Sequence, residues 1–229
     1  MGFKNRSFSQ PVYDEKKEEP SRVIVISCEG RNTEYEYFES IKSKLKGHIS
    51  TLVKVDVIEK EDDKSEPKYV LINLEKRIDE KYDLDSEYDQ FWLVCDREIR
   101  SDRKQALLDT FPECQEKGYF VALTNPLFEF WLLMHIADIN AYDKHDLLAN
   151  AKVNKNRRFL EKELSSLLPN GFNKKQGKFN QDIVSLENIE RALAQEQQFA
   201  NEPGKIVNNL GSNIGELVCS ILGKQWPPV

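Results

Sequence analysis

The sequence has few of the residues that build zinc sites or disulfide frameworks. Its 229 residues include three histidines and four cysteines, and no two cysteines have the CxxC spacing of a zinc or redox motif. None of the histidines clusters with a cysteine. The composition therefore argues against zinc, and it favours reduced, buried cysteines that behave as small apolar side chains.

Long hydrophobic runs are also missing. The longest apolar stretch, residues 127–139, is interrupted by Glu129, His135 and Asp138 and is too short to cross a bilayer. The first 20 residues are polar and contain no apolar core of a secretory signal. We therefore expect a cytoplasmic protein that does not associate with membranes.

The sequence contains no GxxxxGK[ST] pattern, so any ATP hydrolysis linked to this protein must come from another chain. An apolar content of 39% is typical of a globular protein, and the formal net charge is −6. The charge is uneven, because residues 56–89 contain 13 acidic and 6 basic side chains, whereas residues 150–182 contain 8 basic and 3 acidic ones. This asymmetry fits either a local nucleic-acid surface or an ordinary salt-bridged surface.

Short apolar runs alternate with segments of helical periodicity in the first part of the chain. Strands are predicted near residues 23–28, 52–58, 91–95 and 119–123. Helices are predicted near residues 33–47, 70–82, 104–117, 127–140, 157–168 and 185–200, with a final helix before residue 223, and no convincing strand follows Leu127. We predict an α/β protein with a flexible tail (1–20), a Rossmann-like core of about four mainly parallel strands (21–140) and a mostly helical C-terminal extension packed on that core (141–229).

Two helix starts have recognisable capping patterns. Thr33 and Glu36 have the spacing of a capping box. Asn125 is predicted to be an N-cap, with Pro126 in the first turn of a buried helix. Inside that helix an unpaired buried charge would be costly, so we expect Glu129 to be mostly buried and paired with a basic side chain or a backbone donor, either as a structural ion pair or at the floor of the site. His135 is predicted to be a hydrogen-bonded core residue.

Three acidic residues follow predicted strands. Glu29 comes directly after the first apolar run, and Asp96 and Glu98 come after Phe91–Cys95. Because the carboxyl ends of neighbouring parallel strands open into one crevice, we expect these carboxylates to converge. An all-oxygen ligand set is typical of Mg²⁺ or Mn²⁺ and of phosphoryl chemistry. The alternative is that these acids are solvated turn residues.

Other residues could support such a site. Gly30 lets the backbone approach a ligand closely. Arg97 and Arg100 directly follow the acidic turn, and they could hold phosphates or only neutralise the acids. Lys174 and Lys175 lie in a basic loop that is either a contact to a nucleic-acid backbone or a solvated loop.

Several of these motifs together resemble the RloB family. The residues that carry the resemblance are Cys28-Glu29-Gly30-x-x-Thr33-Glu34-x-x-Tyr37-Phe38, Asp96-Arg97-Glu98 and Asn125-Pro126-x-Phe128-Glu129-x-Trp131-Leu132-Leu133-x-His135. Segments around Phe172–Lys174 and Gly211–Leu217 resemble C-terminal blocks of that family, so the likeness covers about residues 22–222.

RloB-like proteins are similar to TOPRIM nucleases and are associated with restriction and abortive-infection loci. The resemblance implies that Glu29, Asp96 and Glu98 are the catalytic, metal-binding set, supported by Gly30 and Glu34 together with Asn125 and Glu129. Glu98 departs from the TOPRIM pattern, which more often has Asp there, and its longer side chain puts direct coordination in doubt. The family also implies an ATPase partner.

The sequence therefore favours a metal-dependent nuclease of antiphage defence that acts on DNA or on RNA, including tRNA. Phosphoryl or nucleotidyl transfer at the same site is a second enzymatic hypothesis. A catalytically silent sensor or partner-binding subunit is the alternative from a different class.

Overall fold

The computed structural model describes residues 22–60, 64–82 and 88–227, so the tail predicted for residues 1–20 lies outside the described residues. The strands are β1 (Arg22–Cys28), β2 (Val53–Ile58), β3 (Gln90–Asp96), β4 (Phe120–Asn125) and β5 (Gly211–Ser212). They form one sheet in the order β2-β1-β3-β4-β5, in which the first four strands are parallel and β5 is antiparallel to β4. The predicted α/β fold with a mainly parallel, Rossmann-like sheet is confirmed.

The sheet order reverses between β1 and β3. From β1 the chain crosses to β2 on one side, and it then returns to place β3 on the other side of β1. Ligands of open α/β sheets bind at such a switch point, outside the carboxyl ends of the strands. Residues that directly follow β1 and β3 are therefore in the position where this fold class builds its sites.

Helices cover both faces of the sheet. They are α1 (Thr33–Lys44), α2 (Pro67–Lys81), α3 (Ser101–Glu116), α4 (Phe128–Ile136), α5 (Lys144–Ala149), α6 (Phe159–Leu167), α7 (Leu186–Glu196), α8 (Pro203–Ile206) and α9 (Ile214–Leu222). Ile24 and Ile26 of β1 pack into a cluster with α1, α4, α6, α7 and α9, whereas Val25 packs on the opposite face with α2, α3 and α8. This burial on both faces explains why β1 is a continuous apolar run. No helix in the described ranges has the length and apolar character to span a bilayer.

The structure corrects the prediction that no strand follows Leu127. The two-residue strand β5 pairs with the end of β4, where Thr124 faces Ser212 and Asn125 faces Gly211. A two-residue strand is too short to give an alternating pattern in the sequence, so periodicity could not reveal it.

Both predicted helix caps were wrong. Thr33 is the first residue of α1, and the Glu36 carboxylate accepts backbone hydrogen bonds from Gly177 and Phe179 instead of capping its own helix. Asn125 is the last residue of β4, and α4 begins three residues later. The Asn125 side chain donates to backbone carbonyls of the 206–209 turn, so tertiary contacts outweigh the local capping pattern at both places.

Candidate functional site

Glu29 and Asp96 lie side by side at the switch point of the sheet. The backbone N–H of Glu29 donates to the carbonyl of Val94 at 2.8 Å, which extends the β1–β3 ladder by one residue. The backbone N–H of Asp96 then donates to Oε2 of Glu29 at 3.0 Å. The predicted convergence of these two acids at the carboxyl edge of the sheet is therefore found in the structure.

Arg103 of α3 holds Glu29 and Asp96 in position. Its Nη2 donates to Oε2 of Glu29, its Nε donates to the carbonyl of Asp96 at 3.0 Å, and its Nη1 donates to the carbonyl of Ser65 at 2.7 Å. The guanidinium is buried, so its charge interacts strongly with Glu29. On the opposite side of Asp96, the Thr124 hydroxyl donates to Oδ1.

Glu34 reaches the same edge from the first turn of α1. It is buried, and its carboxylate lies directly over Gly30. A Cβ atom at position 30 would overlap the carboxyl atoms of Glu34, which gives Gly30 a packing role. Lys60 is also buried here and donates to the backbone carbonyl of Glu29 at 2.9 Å.

Glu129 comes from the first turn of α4 and is 3% exposed. Its Oε1 lies 2.7 Å from Nζ of Lys174, which also contacts Glu161 at 2.8 Å. The prediction that Glu129 is buried and paired with a basic side chain is confirmed. Six residues further along α4, His135 is buried and contacts the hydroxyl of Tyr37 and the carbonyl of Trp131, which confirms its role in the core.

Glu29, Glu34, Asp96 and Glu129 influence one another electrostatically, and we call these four residues the acid cluster. Burial raises the pKa of Glu29 and of Glu34 to about 7 in each case, and Arg103 partly offsets the rise at Glu29. The pKa of Asp96 is raised well above its ordinary value by burial and then by the charges of Glu34, Glu29 and Glu129. Burial and, to a smaller extent, mutual repulsion therefore both disfavour full ionisation of the cluster.

Glu98 is less closely associated with this cluster than the sequence predicted. Its charge is the smallest of the effects that raise the pKa of Glu29. Its backbone has φ of +48°, a left-handed conformation that is uncommon for a residue other than glycine, and its N–H donates to the carbonyl of Pro126 at 3.0 Å. The turn therefore directs the chain away from the line of β3 immediately after Asp96.

Neither Glu29, Asp96 and Glu98 nor any three members of the acid cluster form a preassembled three-ligand group. Among the described residues, the group whose ligand atoms all lie within 4.8 Å of one another is Asp143, His145 and Asp146, and all three are exposed. Asp143 is the N-cap of α5 and accepts from the backbone N–H groups of the other two, so helix capping explains why they are close.

The four basic residues predicted to hold phosphates have different environments. Arg97 donates to the carbonyls of Val207, Glu98 and Arg100, so its guanidinium forms hydrogen bonds to the backbone. Arg100 is exposed and pairs with Asp102 at 2.5 Å. Lys174 bridges two glutamates, as described above, and the adjacent Lys175 is exposed.

A pocket of about 410 Å³ opens beside the acid cluster. Its wall is formed by Asp96, Glu98, Ile99, Arg100, Pro126, Leu127, Asn150, Arg158, Glu161 and Lys174. Asn150 and Arg158 were missed as site residues by the sequence analysis. The positive balance of residues 150–182 was the available signal, but it did not identify which basic side chains face the acids.

The family model for RloB-like proteins matches residues 24–221. The chain belongs to the RloB-like protein family. The match includes all of the acid cluster and every residue that lines the pocket beside it. Searches of curated proteins and of solved structures each gave no match.

The donor set of this RloB-like protein fits a hard divalent cation. The acid cluster offers carboxylate oxygens only, which is the set that Mg²⁺ and Mn²⁺ prefer. Within the described residues, Oδ2 of Asp96 and Oε1 of Glu29 accept no hydrogen bond, because Thr124, Arg103 and the Asp96 backbone use the other oxygens. A cation would also offset the mutual repulsion that, after burial, raises the pKa of Asp96.

Proposed function

We propose that this RloB-like protein is a metal-dependent nuclease that cleaves phosphodiester bonds at the acid cluster. The observation that carries the proposal is the electrostatic coupling of four buried or partly buried carboxylates beside the switch point of the sheet. They lie beside a pocket whose wall also contains Arg100, Arg158 and Lys174. Carboxylates suit a cation and the basic wall suits a phosphate, so the two surfaces complement a phosphodiester.

Bound Mg²⁺ or Mn²⁺ would polarise the phosphodiester and lower the pKa of a coordinated water. Asp96 is the main candidate ligand, because it is a short side chain at a strand end with one oxygen uncommitted. Glu34 and Glu129 supply further negative charge from α1 and α4. Arg103 and Thr124 hold the Glu29 and Asp96 carboxylates in fixed orientations.

We further propose that the nuclease acts in antiphage defence together with an ATPase encoded by another gene. Support comes from the resemblance to restriction and abortive-infection proteins. The assignment of ATP hydrolysis to another protein is consistent with this sequence, which contains no P-loop. The substrate strand is DNA or RNA.

The test compares cleavage by the wild type with cleavage by Asp96→Asn, with single- and double-stranded DNA, RNA and tRNA as substrates, in Mg²⁺ and in Mn²⁺. Asp109→Asn is the matched control, because Asp109 is an exposed carboxylate on α3 outside the cluster. We expect Asp96→Asn to lower the rate about a thousandfold, since several kcal/mol of charge stabilisation are lost. Cleavage by Asp96→Asn at the wild-type rate would contradict the proposal.

One observation favours the alternative, a catalytically silent sensor or partner-binding subunit. Arg103 already neutralises Glu29 within the described structure, as a purely structural ion pair would. The alternative predicts that the wild type binds its partner but cleaves none of these substrates in Mg²⁺ or Mn²⁺, even with the ATPase present. Metal-dependent cleavage that is lost in Asp96→Asn would exclude it.

A further inference from the structure

The pocket that Asp96 and Glu98 help to line contains two further residues that neither the acid cluster nor the sequence motifs explain. We propose that Asn150 and Arg158 form a subsite for one phosphate-bearing nucleotide of a single-stranded nucleic acid. The proposal rests on the nuclease function above and deepens it, because it assigns the residues that hold the strand beside the carboxylates.

Asn150 has an unused hydrogen-bond donor. It is 1% exposed, and its Oδ1 accepts the backbone N–H of Leu160 at 3.0 Å, which fixes the orientation of the amide. Its Nδ2 is buried and has no hydrogen-bond partner in the described structure. A buried donor without a partner costs about 1–3 kcal/mol, so the acceptor oxygen of a ligand would satisfy a group that the fold leaves unpaired.

Arg158 is anchored at the same wall. One arm of its guanidinium, Nη1, donates to the backbone carbonyl of Asn150 at 3.2 Å. Within the described residues, its other side-chain nitrogens make no hydrogen bond. The anchored arm holds the guanidinium in place, and the remaining donors have the fork geometry that matches phosphate oxygens.

The loop between these two residues extends the positive surface. Residues 150–158 contain Lys152, Lys155, Arg157 and Arg158 and no acidic residue. The loop folds back on itself through a bridge between Lys152 and Arg158, and residues 151–157 are exposed. Such a loop can follow the backbone of a strand beyond the nucleotide in the pocket, and its affinity for the strand would then depend on salt.

The pocket has the size and polarity for one nucleotide. Its volume of about 410 Å³ lies within the ordinary range of small-ligand sites. Leu127, Pro126 and Ile99 provide apolar wall area, and acidic and basic residues line the same space. A phosphate on Asn150 and Arg158 would therefore leave its neighbour in the strand close to Asp96.

The experiment measures the binding of 5′-fluorescein-labelled octamers, dT8 and rU8, by fluorescence anisotropy in Ca²⁺ without turnover. Asn150→Asp is the sharpest variant, because Asp tolerates the left-handed backbone and keeps the acceptor for Leu160 but replaces the free donor. Asn180→Asp is the matched control. Asn180 also has a buried, unpartnered Nδ2 and an Oδ1 that accepts a backbone N–H, but it does not line the pocket.

We expect Asn150→Asp to weaken binding of at least one octamer by about tenfold or more, and Asn180→Asp to bind like the wild type. Arg158→Gln should also weaken binding and lower the slope of log affinity against log salt by about 0.7. Wild-type affinity in Asn150→Asp, or equal losses in both aspartate variants, would overturn the subsite. If adenosine 5′-monophosphate binds as tightly as the octamers, the pocket is a site for free nucleotides and the proposed binding of a nucleic-acid strand is wrong.

This result is independent of the nuclease proposal, because binding is measured without cleavage. Wild-type cleavage by Asp96→Asn would refute the catalytic proposal while the octamer affinities still report on Asn150. Conversely, Asn150→Asp that binds normally would refute the subsite even if Asp96→Asn is inactive.

Discussion

The backbone N–H of Asp96 donates a 3.0 Å hydrogen bond to Oε2 of Glu29. This bond joins the ends of β1 and β3 at the point where the strand order reverses. Arg103 binds the same carboxylate oxygen, so the position of Glu29 is fixed by two donors. Asp96 is thereby held beside Glu34 and Glu129, whose charges add to the rise in its pKa.

Gly30→Ala should destabilise the protein by about 1–3 kcal/mol, because the added methyl group overlaps the carboxylate of Glu34 in a packed site. Displacement of Glu34 should also slow metal-dependent cleavage. Urea unfolding and a cleavage assay measure the two effects. Gly47→Ala is the control, since a Cβ there meets no atom within 4 Å. Unchanged stability and activity in Gly30→Ala would mean that the position of Glu34 is irrelevant.

Glu98→Asn should raise the free energy of unfolding by about 0.5–1 kcal/mol while lowering activity. Asparagine adopts the left-handed conformation more readily than glutamate, so the substitution relieves backbone strain beside the candidate site. Urea denaturation checks the stability. Glu187→Asn, in the first turn of α7, is the control and should be slightly destabilising. A loss of stability in Glu98→Asn as large as in that control would refute the strain argument.

Lys174→Met should destabilise the protein by about 2 kcal/mol, because it leaves the buried Glu129 without its cation. The loss is smaller than for a fully buried pair, since the Lys174 side chain is 44% exposed and water can replace part of its interaction. Adding Glu129→Gln should recover more than half of the lost stability. Lys175→Met, at the next and exposed position, should change stability by less than about 0.5 kcal/mol.

Glu196 should make stability depend on pH. Burial raises its pKa to about 8, whereas hydrogen bonds, including those from Ser212 and the backbone of Gly215, lower it. The folded protein therefore keeps a proton that the unfolded chain releases above about pH 4.5, so this stabilisation is complete below that pH and is lost as pH rises through 8. Because glutamine stays neutral, Glu196→Gln should lose less stability between pH 5 and 8.

The measurement for Glu196 is the difference between the unfolding free energies of the wild type and Glu196→Gln at each pH. Taking this difference removes the contributions of the other acidic residues, which both proteins share. The difference should change by up to a few kcal/mol across this range. Glu190→Gln, on the exposed side of the same helix, is the control. A difference for Glu196→Gln that does not change with pH would contradict the raised pKa of Glu196.

Much of the fold could be predicted from the sequence because burial leaves a strong pattern. The β1 and β3 segments are continuous apolar runs, and they are buried on both faces of the sheet. The predicted caps at Thr33 and Asn125 failed because local patterns compete with distant partners. Glu36 binds backbone groups about 140 residues away, and Asn125 binds the turn after α8.

The candidate site was only partly predictable for a related reason. Glu29 directly follows β1 and Asp96 is the last residue of β3, so strand topology places them together without knowledge of side-chain contacts. Glu98 itself has a left-handed backbone conformation, which an extended-strand argument could not anticipate. Asn150 and Arg158 lie on an extension whose packing has no local sequence signature, so only the folded structure places them in the same pocket as Asp96.

The most direct test of the acid cluster is Mn²⁺ binding measured by electron paramagnetic resonance on the wild type and two variants. Asp96→Asn removes the central carboxylate, and Asp143→Asn alters the exposed Asp143, His145 and Asp146 group. The account predicts that Asp96→Asn weakens Mn²⁺ binding about tenfold or more, while Asp143→Asn binds like the wild type. Binding that is retained in Asp96→Asn and lost in Asp143→Asn would contradict it.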